Sequence, residues 1–177
     1  MSGARDQRKA RTDFLLDESG QSLVEFGFSM ILLLVMVFGV VDLGHGIYLA
    51  LVVTNLTGEG SSLASRGTSL ADSAAAVVAA SAPLTLSTSG RVVVSSVYNN
   101  NNVIQLTGQA SSGNLNVSSR VGTVIGGAAV VPVSAKPQLS QTVYVTEVFY
   151  TLHSITPIGQ FVTGFFLPPQ IYDVAYY

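Results

Sequence analysis

A length of 177 residues suffices for one compact domain, or for a small domain with an appendage. Only 10% of the residues are charged, against about 25% in ordinary soluble chains, and the mean hydropathy of +0.48 points to membrane attachment. A net charge of −2 with 48% hydrophobic residues speaks against disorder and nucleic-acid binding, the lack of cysteine excludes disulfides and zinc–sulfur sites, and two histidines leave little for metal binding or proton relay.

The first 20 residues, MSGARDQRKARTDFLLDESG, are polar and lack apolar periodicity. Arg5, Arg8, Lys9 and Arg11 lie here and make up half of the basic residues of the chain. The segment is read as a cytoplasmic leader rather than part of a fold. Residues 26–41 (FGFSMILLLVMVFGVV) then form an uncharged apolar run. Counted from Gln21, a helix over 21 residues spans about 31 Å, the thickness of a bilayer core. Four basic residues precede this helix, while Arg66 is the one basic residue within about 25 positions after it, so the N-terminus is expected to stay cytoplasmic and the bulk of the chain to be exported. A secretory signal is the competing reading, but its apolar region is shorter and Gly44-His45-Gly46 is a poor cleavage site.

Glu25 heads the apolar run, four residues after Gln21. Two readings stand side by side. It is an interfacial carboxylate tolerated near the positive end of the helix dipole, or it has a partner that repays the cost of a charge in the bilayer.

Beyond the membrane, Ile47, Leu51, Asn55 and Leu56 continue a three- to four-residue spacing, with Gly58 and Gly60 expected to loosen the stalk. Asp72 is expected to cap a second short helix over residues 73–82, stopped by Pro83. After Pro83 the pattern turns to strands. Residues 91–98 (RVVVSSVY) and 103–110 (VIQLTGQA) flank Asn99–Asn102, a hairpin tip because asparagine tolerates positive φ. Residues 113–136 read as an irregular loop with a short strand at 128–133. Residues 141–152 (QTVYVTEVFYTL) form the strongest strand, with Val143, Val145, Glu147 and Phe149 on one face and Tyr144, Thr146, Val148 and Tyr150 on the other. Residues 171–177 form a closing strand.

Catalytic constellations are weak. His153 is the one credible base, but on a strand its neighbour Ser154 points to the opposite face. Asp42 and His45, three apart on a helix, make two ligands and not a metal site. Asn55-Leu56-Thr57 and Asn116-Val117-Ser118 fit the glycosylation sequon by chance composition, and GTVIGG at 122–127 lacks the lysine of a phosphate loop. No enzymatic activity, metal, cofactor or small-molecule substrate is expected.

Gly20-Gln21-Ser22-Leu23-Val24-Glu25-Phe26, directly ahead of the hydrophobic helix, resembles the cleavage and assembly site of type IV prepilins. Asp42-Leu43-Gly44-His45, Tyr48, Glu59-Gly60 and Ala64 resemble the segment that follows the membrane helix in TadE-like pseudopilins of the tight-adherence (Flp) pilus, although many relatives carry Arg where His45 stands. Residues 141–148 and the chain end are similar to distal parts of that family. The resemblance implies that a prepilin peptidase cuts between Gly20 and Gln21 on the cytoplasmic face of a bacterial inner membrane. It further implies that Glu25 and Phe26 serve recognition and assembly, and that the partners are the peptidase, other pilins and the assembly machinery, and membrane lipid. The long head argues against the major pilin, since major Flp pilins are very short chains.

The expected fold is α+β: a long N-terminal transmembrane and stalk helix, a second short helix, then a small, mostly antiparallel β-sheet head. The expected organisation is a leader at 1–20, transmembrane helix and stalk at 21–57, and exported head at 58–177. The expected function is a structural subunit, a minor pilin or pseudopilin for assembly or initiation of a Flp-type pilus used in adherence. The alternative is a single-pass, membrane-anchored binding or sensory domain that does not polymerise.

Overall fold

A computed structural model describes residues 18–157, 159 and 167–177. The basic leader residues Arg5 to Arg11 lie outside them. The first element, α1, is an α-helix of 48 residues, Glu18–Ser65. At about 1.5 Å per residue it is about 72 Å long, more than twice a bilayer core. From Asp42 onward a buried stripe runs along one face through Gly46, Leu49, Val53, Leu56, Gly60 and Ala64. These steps of three and four residues are the helical period, so one face of the far half is built to pack.

The other elements are α2 (Leu70–Ala79), a single-turn α3 (Leu86–Ser89), and strands β1 (Gly90–Asn100), β2 (Val103–Ser112), β3 (Thr142–Thr151) and β4 (Gln170–Tyr176). The strands form one antiparallel sheet in the order β2-β1-β3-β4. The fold is therefore α+β, with a long apolar helix, a short helix and a four-stranded antiparallel sheet. The far half of α1 and all of α2 cover one face. Leu49, Val53 and Leu56 of α1 and Val77 of α2 meet Val92, Val94, Val148 and Tyr150 of the sheet. Residues of the 113–136 segment lie over the other face, where Val121 joins Val97, Leu106 and Val145. Strand β3 is central and covered on both sides, which is why every residue from Val145 to Tyr150 is buried. Its two faces alternate as the pattern at 143–150 predicts.

Several sequence expectations are adjusted. α2 begins three residues early, because Ser69 rather than Asp72 is the cap: its hydroxyl accepts the Asp72 amide at 3.1 Å and donates to the Asp72 carboxylate at 2.6 Å. This is a reciprocal cap in which Asp72 occupies the third helical position. The hairpin tip is shorter than four asparagines. Asn101 and Asn102 alone take positive φ, 49° and 69°, as a two-residue turn requires. The strand expected at 128–133 is absent; Ala128 makes one isolated bridge to Gln105, and Val133–Ala135 is a 3-10 turn.

α1 also runs unbroken through Gly58 and Gly60, contrary to the expected loosening. Gly60 serves close approach instead. A Cβ there would stand 2.8 Å from a Thr146 side-chain carbon and 3.0 Å from one of Val77, so its absence lets helix, sheet and α2 meet.

Candidate functional site

The site singled out by the sequence is the start of α1. Between Gly20 and Val41 no residue is buried, and Phe26 is 68% exposed. Burying one large apolar side chain is worth about 1.5–3 kcal/mol, so a bare run of this kind is stable only in lipid or against other helices. By length and composition α1 can cross a membrane, and its most apolar stretch has no part buried inside the protein. At its head the Gln21 side-chain amide donates to the Glu25 carboxylate at 3.0 Å, both groups being exposed. The i to i+4 spacing places them one turn apart on the same side of the helix. Gly20 has open space where a side chain would begin. Gly20, Gln21, Glu25 and Phe26 thus lie together on the solvent-accessible first turns.

The transition from bare to packed helix falls at Asp42, which is 3% exposed. Its carboxylate accepts the backbone amides of Ile155 and Thr156, each at 3.2 Å, and the Thr156 hydroxyl. Charge-assisted bonds of this type are about twice as strong as neutral ones. They fasten the β3–β4 connection to the point where the helix leaves the apolar run. Next to it, the Leu167 side chain packs where a Cβ on Gly46 would lie. Of the pair considered for metal binding, both Asp42 oxygens are engaged by this loop, while His45 Nε2 is buried with no hydrogen-bond partner among the described residues. Further along, the Thr57 hydroxyl donates to the Asp173 carboxylate of β4 at 2.9 Å. His153 is exposed and Ser154 half-buried just past β3.

A second buried carboxylate was not singled out by sequence reasoning. Glu147 on β3 is fully buried. It accepts the Arg120 backbone amide at 2.8 Å, the Tyr172 phenol at 3.1 Å and the Ser119 hydroxyl. The Arg120 guanidinium lies 3.8 Å from the centroid of the Tyr172 ring, and Phe149 packs against Tyr172 at 4.9 Å between centroids. The carboxylate thus fixes Ser119 and Arg120 of the 113–136 segment on the outer face of the sheet. The one signal was a charged residue inside an otherwise apolar strand face.

This environment has a pH consequence. Burial pushes the Tyr172 phenol above its ordinary value, with further upward contributions from the Glu147 charge and from donation to it; burial and Glu147 raise Tyr176 too. A folded-state value above the unfolded one stabilises the protein while the phenol is protonated. That contribution is complete below about pH 10 and is lost as pH climbs through the raised folded values. Thermal unfolding followed across an alkaline series is expected to show a falling midpoint above about pH 10. Glu147→Gln is expected to bring the phenolate titration of both tyrosines down, and an unchanged titration in that variant would show that Glu147 does not act on them.

Residues 20–61 match the family model of TadE-like proteins. The matched segment begins at the glycine ahead of the apolar helix and extends to the part of α1 that packs on the sheet, so the resemblance stated for this region holds. The similarity noted at 141–148 and at the chain end lies outside it. No match was found among curated proteins or among solved structures.

Proposed function

We propose that this TadE-like chain is a minor pilin or pseudopilin, a non-catalytic structural subunit that takes part in assembling or initiating a Flp-type pilus. The observation that supports this reading most is the placement of the Gly20-to-Phe26 signature. It heads an apolar helix whose first half is bare and whose second half is the spine of the head. A cut after Gly20 would leave that spine intact, whereas loss of the helix near Gly46 would remove Asp42 and its loop anchor. In this reading Gly20 and Gln21 flank the peptidase cut, and Glu25 and Phe26 engage other subunits. The leader faces the cytoplasm and the head is exported from a bacterial inner membrane.

N-terminal sequencing and intact mass of the protein extracted from membranes test the proposal. The expected result is a chain beginning at Gln21, lighter by the 20 leader residues, with the helix retained. A chain beginning near residue 46 would mark an ordinary secretory signal and overturn the subunit reading. A full-length chain in cells with active prepilin peptidase would favour an anchored domain that does not polymerise.

A further inference from the structure

The two edges of the sheet are treated differently by the chain. The β2 edge is closed over Ile104–Leu106: Leu106 donates to Gly127, Gly126 to Leu106 and Ala129 to Ile104, at 3.0, 2.7 and 2.9 Å. A bulge opposite Ser96/Val97 disrupts the pairing beside it. The β4 edge has no such cover among the described residues. Tyr144 and Tyr177 exchange both backbone bonds at 2.9 Å, and Leu152 donates to Pro169 at 3.0 Å, so the odd-numbered residues of β4 bond inward to β3. In an antiparallel ladder the alternate residues, Tyr172, Val174 and Tyr176, then turn their N–H and C=O groups outward. Natural edges are protected by charge, proline or bulges. The one charge on β4, Asp173, is turned inward to Thr57, and no proline interrupts the strand.

We infer that the β4 edge is a strand-addition site for an extended, acidic segment of another exported polypeptide. The charge of the occupant follows from what lines the edge. A cavity of about 340 Å³ opens beside β4 between Arg120, Val131, Pro132, Tyr172 and Tyr176, and a neighbouring one brings Lys136 against Tyr176 and Tyr177. No Asp or Glu side chain lines either cavity, and the Glu147 carboxylate beside the first already accepts from three donors. An added strand supplies backbone bonds along the edge and alternate side chains to these two cationic cavities.

A second copy does not satisfy the geometry. β4 runs in the same direction as α1, since Leu167 packs at Gly46 while Asp173 reaches Thr57. Antiparallel pairing of two β4 edges about a twofold axis sets the two α1 helices in opposite directions. Two chains anchored in one membrane cannot adopt that arrangement. The inference does not require that the chain join a filament.

Backbone hydrogen exchange of the full chain in detergent micelles tests it. The amides of Ile171, Asp173 and Ala175 are expected to be protected and those of Tyr172, Val174 and Tyr176 to exchange fast. A short end-blocked peptide of alternating threonine and valine with a central glutamate is expected to slow the latter three at least about tenfold. Lysine in place of that glutamate, Arg120→Glu or Val174→Pro should each abolish the slowing, while continued protection of Ile171, Asp173 and Ala175 shows that the variants remain folded. No slowing by the glutamate peptide, or equal slowing by the lysine peptide, overturns the inference. Outward amides that are already slow, in proportion to protein concentration, overturn it in favour of self-pairing.

Discussion

Glu25→Val is expected to insert and fold as the parent does, yet to lose co-assembly with other pilins. Glu25 lies in a stretch, residues 20–41, of which no residue is buried, and its carboxylate accepts from Gln21 within its own helix. Valine makes the helix more apolar, so insertion becomes easier rather than harder. Cleavage after Gly20 would create an α-amino cation on Gln21 one turn from Glu25. Within a bundle of such helices, a neighbour offset along the axis can present its own cation to Glu25 and fix one axial register. Removing one member of a buried pair strands the other, at a cost of about 3–5 kcal/mol, enough to abolish a weak helix–helix contact. Glu25→Asp keeps the charge with shorter reach and should retain part of the function. Cross-linking to other pilins in membranes from the three strains is the measurement. Wild-type cross-linking and normal pili with valine would mean that Glu25 is an interfacial carboxylate and nothing more.

The second large effect is expected in the head. Glu147→Ala should destabilise it by about 3–5 kcal/mol, because it strands the Arg120 amide, the Ser119 hydroxyl and the Tyr172 phenol and leaves a cavity between two packed layers. Glu147→Gln keeps an acceptor of the same shape and should lose less. Thermal unfolding in detergent micelles gives the magnitude. Limited proteolysis within residues 113–136 locates it, since that segment is what the carboxylate holds down. An alanine variant with the parent's unfolding midpoint and an uncut segment would show that the clamp contributes nothing.

Local chemistry was strong enough to be legible wherever a segment's structure depends on its own residues. The apolar run at 26–41, extended back to Gln21, determines a helix of membrane length, because in lipid every backbone group must be satisfied within the segment. The alternation in residues 143–150 determines a strand and its two faces, since side chains on a pleated strand must alternate. The asparagine run determines a turn, because few residues accept positive φ at successive positions. The glycine, the carboxylate and their distance from the apolar run were equally legible, and residues 20–61 match the TadE-like family.

What the sequence left open depended on partners far away in the chain. Asp42 read as one of two residues, with His45, too few for a metal site, whereas residues 155–156, more than 110 positions away, hold its carboxylate. Gly60 read as a weak point in a helix, whereas Thr146 and Val77 make it the place of closest approach. Glu147 read as one polar residue on a strand face, whereas the segment at 119–120 makes it a buried clamp. No local pattern encodes these meetings, because a carboxylate in the sequence carries no mark of which donors the fold will bring to it. The apolar helix up to residue 41 could therefore be read from composition and spacing, while the packing of the helix on the sheet, the closed β2 edge and the open β4 edge were decided by tertiary structure alone.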